Sequence, residues 1–225
     1  MEPLAYFIMR VATYSQLLPT LVALGRGSQL SKTQRLLGLL VGVSAAVDIY
    51  ASLLANSGRP NLFLLHPFTV VEFSLFVLIY AENAVVPKRL RLPIIFGFIA
   101  IAIISSYGWE PLTVFNTTAR TLEGLTLLFF AVRYYYLQVS KKRLDLPASI
   151  NASLGGQPMF WINAGVLLYF APALAVILYG NFFLEAGSYF GVLIYSTLSM
   201  LGILKSILFA IALWIQLPTP KARFS

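Results

Sequence analysis

The chain has 225 residues, 59% of them hydrophobic and 11% charged, against about 25% charged for an ordinary soluble domain. A soluble fold of this size cannot bury so much apolar surface, so the composition makes lipid the solvent for much of the chain. There is no cysteine, which excludes a disulfide framework, a thiolate metal site and a thiol nucleophile.

Counting apolar runs of roughly 20 residues between polar breaks predicts seven helices, over 4–24, 35–55, 62–82, 93–108, 112–136, 159–180 and 188–215. The expected fold is an all-α membrane protein, a single seven-transmembrane helix bundle over residues 1–225. Met1-Glu2-Pro3 has no basic run ahead of the apolar stretch, and Arg10 interrupts that stretch, so the first segment is expected to be a retained helix, not a signal peptide. The breaks carry turn chemistry at Gly25-Arg26-Gly27-Ser28, Asn56-Ser57-Gly58-Arg59-Pro60-Asn61 and Gly108-Trp109-Glu110-Pro111. The longest break, Ser140 to Pro158, mixes a basic run with Pro147 and Gly155-Gly156 and reads as a hinge before the last two helices.

Charge placement predicts orientation. The first, third and fifth loops and the C-terminal tail hold Arg26, Lys32, Arg35, Lys88, Arg89, Arg91, Arg133, Lys141, Lys142, Arg143, Lys221 and Arg223; the other side holds only Arg59 with Glu2, Glu110 and Glu185. Basic residues are retained on the cytoplasmic side, so the N-terminus is expected outside and the C-terminus in the cytoplasm, as an odd number of helices requires. The same basic residues account for the net charge of +8, and anionic lipid heads are their expected contact, not nucleic acid.

Seven ionisable residues fall inside the predicted helices: Arg10, Asp48, His66, Glu72, Arg120, Glu123 and Lys205. At about 1.5 Å of rise per residue, Arg10 and Asp48 lie roughly 10 Å below the outer surface, with Glu72 and Glu123 near the midplane. Lys205 starts on the cytoplasmic side of centre, and its side chain leans back toward the glutamates. Three firm cations face three carboxylates, with His66 left over. Polar neighbours share the faces: Tyr6, Arg10 and Tyr14; Ser44, Asp48 and Ser52; Asn116, Arg120 and Glu123; His66, Thr69 and Glu72. One reading is that these groups are structural glue, because every buried polar atom in lipid needs a partner. The other is that they line a cavity open to the outer face, which binds a ligand or relays protons. For Lys205 a third reading is snorkelling to the inner surface.

Other chemistry finds little support. One histidine and no cysteine leave no usual zinc site, and there is no phosphate loop, nucleophile elbow or H-E-x-x-H sequence. No metal and no cofactor is expected. The scarcity of histidine speaks against seven-helix lipid amidases; Glu72 and Glu123 as acid and base of a lipid-modifying enzyme remain a distant reading. A retinal-type photoreceptor would use Lys205 for a Schiff base and Glu72 as counter-ion, but Leu201 stands where a carboxylate is expected, and the third helix lacks an Asp-Trp-x-x-Thr pattern. Transporters built as three plus one plus three helices share the orientation, yet no internal repeat aligns and their Pro-Gln signature is missing. Asn116-Thr117-Thr118 and Asn151-Ala152-Ser153 match the glycosylation pattern by chance on this topology.

Three stretches, His66-Pro67-Phe68-Thr69-Val70-Val71-Glu72-Phe73, Pro158-Met159-Phe160-Trp161-Ile162 running to Leu168-Tyr169-Phe170, and Lys205-Ser206-Ile207-Leu208-Phe209-Ala210-Ile211, resemble an uncharacterised family of small bacterial seven-helix membrane proteins. The similarity spans about a third of the chain. It implies an integral inner-membrane protein, groups His66, Glu72 and Lys205, and supplies no activity; Ala171-Pro172-Ala173 departs from the Gly and Asn expected there. The expectation taken forward is a non-enzymatic sensing or signalling protein. It would bind a small or lipidic ligand at the charged centre (His66, Glu72, Arg120, Glu123, Lys205, Arg10 and Asp48) and act on a cytoplasmic partner. The alternative is a proton-coupled transporter or channel using the intramembrane glutamates and His66.

Overall fold

A computed structural model describes residues 2–142, 154–178 and 189–216. Among them the chain is helical throughout, without strands. The helices are α1 (Glu2–Ser15), α2 (Leu17–Arg26), α3 (Lys32–Asn56), α4 (Leu65–Glu82), α5 (Arg91–Gly108), α6 (Thr117–Lys142), α7 (Pro158–Leu178) and α8 (Tyr189–Trp214). Six stretches are long and apolar enough to cross a membrane by length and composition: Leu4–Gln29, Lys32–Asn56, Leu62–Glu82, Lys88–Gly108, Pro158–Leu178 and Tyr195–Trp214. α6 falls outside that set because Arg120, Glu123 and Arg133 dilute its hydropathy.

The helix ends follow local rules. Pro19 has no N–H for the carbonyl of Ser15, so the expected first helix breaks at Gln16 into α1 and α2. Ser31 opens α3 with a capping box: its Oγ accepts from the Gln34 N–H, and its own N–H donates to Gln34 Oε1. Gly58, at φ +68°, makes the left-handed turn after α3, a conformation that favours glycine. The fifth expected span was 112–136; α6 instead starts after Asn116 and runs to Lys142. The delay arises because the Glu110 carboxylate stands ahead of the helix and accepts the Thr118 N–H, which fixes the helix start. The extension takes in Leu137 and Val139 and runs on to the basic pair Lys141-Lys142. Of the hinge expected over Ser140 to Pro158, Ser140 to Lys142 belong to α6; residues 143–153, the Asn151 glycosylation pattern, the charges Arg143, Glu185, Lys221 and Arg223, and the junction around 179–188 lie outside the described residues.

The helices close into a ring: α8 packs against α1, α2 and α7; α3 joins α2 to α4; α4 also touches α5 and α6; and α6 packs on α7. Two glycines permit the closest approaches. A Cβ at Gly165 on α7 would stand 2.8 Å from Phe209 on α8, and one at Gly124 on α6 would stand 2.9 Å from Leu174. The centre is aromatic, with Phe76 edge-on to Phe170 and to Phe209 (both 6.3 Å between centroids) and Leu127, Val166 and Ile162 completely buried around them. The outward faces are apolar as well: Leu24, Phe96, Ile104 and Phe129 are all exposed, the reverse of a water-soluble bundle.

Candidate functional site

Four of the seven ionisable residues expected in the helices meet in one cluster. Arg120 on α6 donates from Nη1 to Glu72 Oε2 on α4 (2.5 Å) and to Glu123 Oε2 one turn along its own helix (2.8 Å). Lys205 on α8 brings Nζ to 4.0 Å from Glu72 Oε1 and lies 4.1 Å above the Tyr169 ring. Phe68 lies under the Arg120 guanidinium at 5.3 Å. Glu72, Glu123 and Lys205 are all buried, so Lys205 points inward, as its lean along α8 predicts. In a low-dielectric interior such ions are held only by one another and by aromatic faces.

Asp48 joins the cluster without pairing. It stands within electrostatic reach of Lys205, Glu72 and Arg120, yet among the described residues its carboxylate has neither an ion pair nor a hydrogen bond. It borders two adjoining cavities of about 380 and 310 Å³. Both are walled by Gln16, Asp48, Phe115, Arg120, Tyr169 and Lys205. The larger runs on between α1, α7 and α8, past Ala12, Ala173, Ile177 and Leu198. The smaller reaches Ser44, Asn61 and Glu72. Both sit where α3 ends and α4, α6 and α8 begin, away from the arginine-rich turns.

The other two residues go elsewhere. His66 is held by Ser106 Oγ at Nδ1 (2.9 Å) and by the Val114 carbonyl at Nε2 (3.1 Å), and it borders a separate cavity of about 240 Å³ against α5. Stepping by three residues turns a helix about 300°, so two steps carry His66 roughly 120° round from Glu72. Arg10 is exposed with its neighbours Tyr6 and Tyr14 and has no ion pair among the described residues. The inward face of α1 is instead Met9, Thr13 and Gln16. The charge count that balances in sequence therefore does not balance in space: three carboxylates (Asp48, Glu72, Glu123) face two cations (Arg120, Lys205).

Polar valences are also left open here. Asn116 donates to Thr69 Oγ1 (2.8 Å), but its Oδ1, with Thr121 Oγ1 and Glu123 Oε1, is buried without a partner. Directly beyond the cluster the phenylalanine layer closes the path: Phe76 follows Glu72 by one turn and Phe209 follows Lys205 by one turn, and both are fully buried.

Three wall residues gave no signal of a role in sequence. Tyr169 appeared only as part of an aromatic run, yet it supports Lys205. Phe115 was expected inside the helix over 112–136 and stands ahead of α6 instead. Gln16 is turned inward by the break that Pro19 imposes, and a proline three residues on was the one available sign. Among the described residues no group of His, Asp or Glu could hold a metal ion. No protein-family model, curated protein or solved structure matches the chain.

Proposed function

We propose that the chain is a seven-span protein of the inner (plasma) membrane, N-terminus outside, that binds a small or lipidic ligand in the paired cavities and signals to a cytoplasmic partner without catalysing a reaction. The single observation that carries this reading is asymmetry about the cluster. Cavities lined by the unpaired Asp48 border it on one side, and a sealed layer of Phe76, Phe170 and Phe209 borders it on the other. That arrangement suits occupancy from one face better than conduction.

The seventh span is α6. Its 26 residues measure about 39 Å, enough for a hydrocarbon core about 30 Å thick. Its exposed stripe, Leu125, Phe129, Val132, Tyr136 and Val139, is apolar, while Glu123 points inward. The orientation rests on the basic turns, Arg26 to Arg35 and Lys88 to Arg91, gathering at the end opposite the cavities. The link to a partner is supplied by α8. Its middle carries Lys205, and the carbonyls of Ala212 in its last turn and of Ile215 just beyond its end are held by Gln34 Nε2 (2.9 Å each), so a shift at the cluster reaches the basic end along one rigid helix.

Native mass spectrometry of the protein from mild detergent tests the reading. It predicts a stoichiometric added mass whose affinity changes in Glu72→Gln or Lys205→Met while the bundle still folds; a bare protein that takes up no lipid or small molecule contradicts it. Proton-coupled transport is the second reading, favoured by the unpartnered oxygens of Asp48 and Glu123. It requires pH-driven flux in liposomes that disappears in Glu123→Gln. His66 has no place in such a relay, since it faces the cavity against α5.

A further inference from the structure

We infer that the occupant of the paired cavities is cationic: an amphiphile whose ammonium head docks on Asp48 and whose apolar body lies along α1, α7 and α8. The inference rests on the ligand-binding reading above and names the class of ligand. Charge carries it first. Within the cluster, Arg120 is already committed to Glu72 and Glu123, and Lys205 to Glu72 and the Tyr169 face. Asp48 is left as a carboxylate with no protein partner, on the wall common to both cavities. Arg10 and Arg59, the further cations expected toward the outer side, are exposed, Arg10 on a different face of α1 from Met9, Thr13 and Gln16. An anionic head would meet three carboxyl groups and would find both cations occupied; an ammonium is the ion that the unpaired Asp48 can hold.

Shape and lining carry it second. Gln16 and the hydroxyl-bearing Ser44 stand beside Asp48 on the smaller cavity's wall and can accept from an ammonium's N–H groups. Phe115 stands on the same wall and supplies an aromatic ring for a methylated one. The larger cavity leads away from these groups past Ala173, Ile177 and Leu198, an apolar lining that suits a hydrocarbon tail and not a hydrophilic solute.

The test uses the full chain in lipid nanodiscs and four ten-carbon probes: decylamine, decyltrimethylammonium, decanol and decanoate. Bound probe is counted by native mass spectrometry. The two cations are expected to saturate at one per protein, at least tenfold tighter than decanol or decanoate. Asp48→Asn is expected to lower cation affinity at least tenfold and leave decanol unchanged, while Asp48→Glu keeps the preference. Tighter binding of decanoate, equal binding of all four probes, or cation affinity unchanged in folded Asp48→Asn overturns the charge assignment and leaves the cavity as a binding site. If no probe saturates, the ligand-binding reading itself fails, and this inference with it.

Discussion

The two ends of the bundle treat buried polar groups in opposite ways. At the basic end each one among the described residues is matched within the protein. Gln34 Nε2 donates to the Ala212 and Ile215 carbonyls while its Oε1 accepts from Ser31. Arg26 donates to the Leu213 and Trp214 carbonyls. Tyr80 donates to Asn163 Oδ1 (2.9 Å), whose Nδ2 donates to the Met159 carbonyl. At the other end Asn116, Thr121 and Glu123 keep buried oxygens without a partner, and Asp48 stands unpaired beside open space. Lipid penalises unmet polar atoms at both ends alike. The difference therefore teaches that the basic end is built to be complete, and the cavity end to be completed.

The strongest way to break this contrast is to remove Arg120. Arg120→Met leaves Glu72 and Glu123 facing each other without their shared cation, and the expected loss is about 3–5 kcal/mol, read as failure to survive mild heating in detergent. The triple change Glu72→Met, Arg120→Met, Glu123→Met should recover much of that stability, since exchanging a buried ion network for apolar side chains is often neutral, yet bind nothing. A triple variant that keeps its ligand would place the site elsewhere.

A smaller effect is expected where two helices meet. Gly165→Val sets new atoms against Phe209, only 2.8 Å from a Cβ. Overpacking of this kind costs about 1–3 kcal/mol, and because Lys205 lies one turn from Phe209, ligand affinity should fall with stability. Gln34→Ala at the complete end strands two carbonyls of α8 and should cost about 1–3 kcal/mol, measured by thermal unfolding, while ligand affinity in the binding assay stays at wild-type level. If Gln34→Ala weakens binding as much as Gly165→Val, the two ends are not separable. The least effect is expected from Lys32→Ala, which removes the exposed Lys32–Glu82 pair and should leave stability and binding unchanged, because exposed ion pairs contribute little.

Much of this was legible in the sequence. Apolar run lengths gave the helices to within a few residues except around Pro19 and Asn116, where a missing donor and a carboxylate cap outweighed hydropathy. Depth counting put Glu72 and Glu123 near the midplane, because rise per residue is nearly invariant, and the lean of Lys205 along its helix brought it toward them. What depth cannot give is azimuth. His66 and Arg10 lie at suitable levels but on the wrong faces, and only packing decides which face of a helix turns inward. The empty space was not legible either: a cavity is set by how α1, α7 and α8 fail to meet, and no single residue encodes that.

Cysteine scanning tests the contrast most directly, since the natural chain contains no cysteine and every introduced thiol is the sole target. Ala51 borders the smaller cavity, and Val166 is completely buried beyond the phenylalanine layer. With a charged, membrane-impermeant thiol reagent on intact cells, Ala51→Cys should be labelled from outside and Val166→Cys from neither side. Labelling of Ala51→Cys from the cytoplasmic face alone, or of Val166→Cys from either face, would contradict a site open outward and sealed inward.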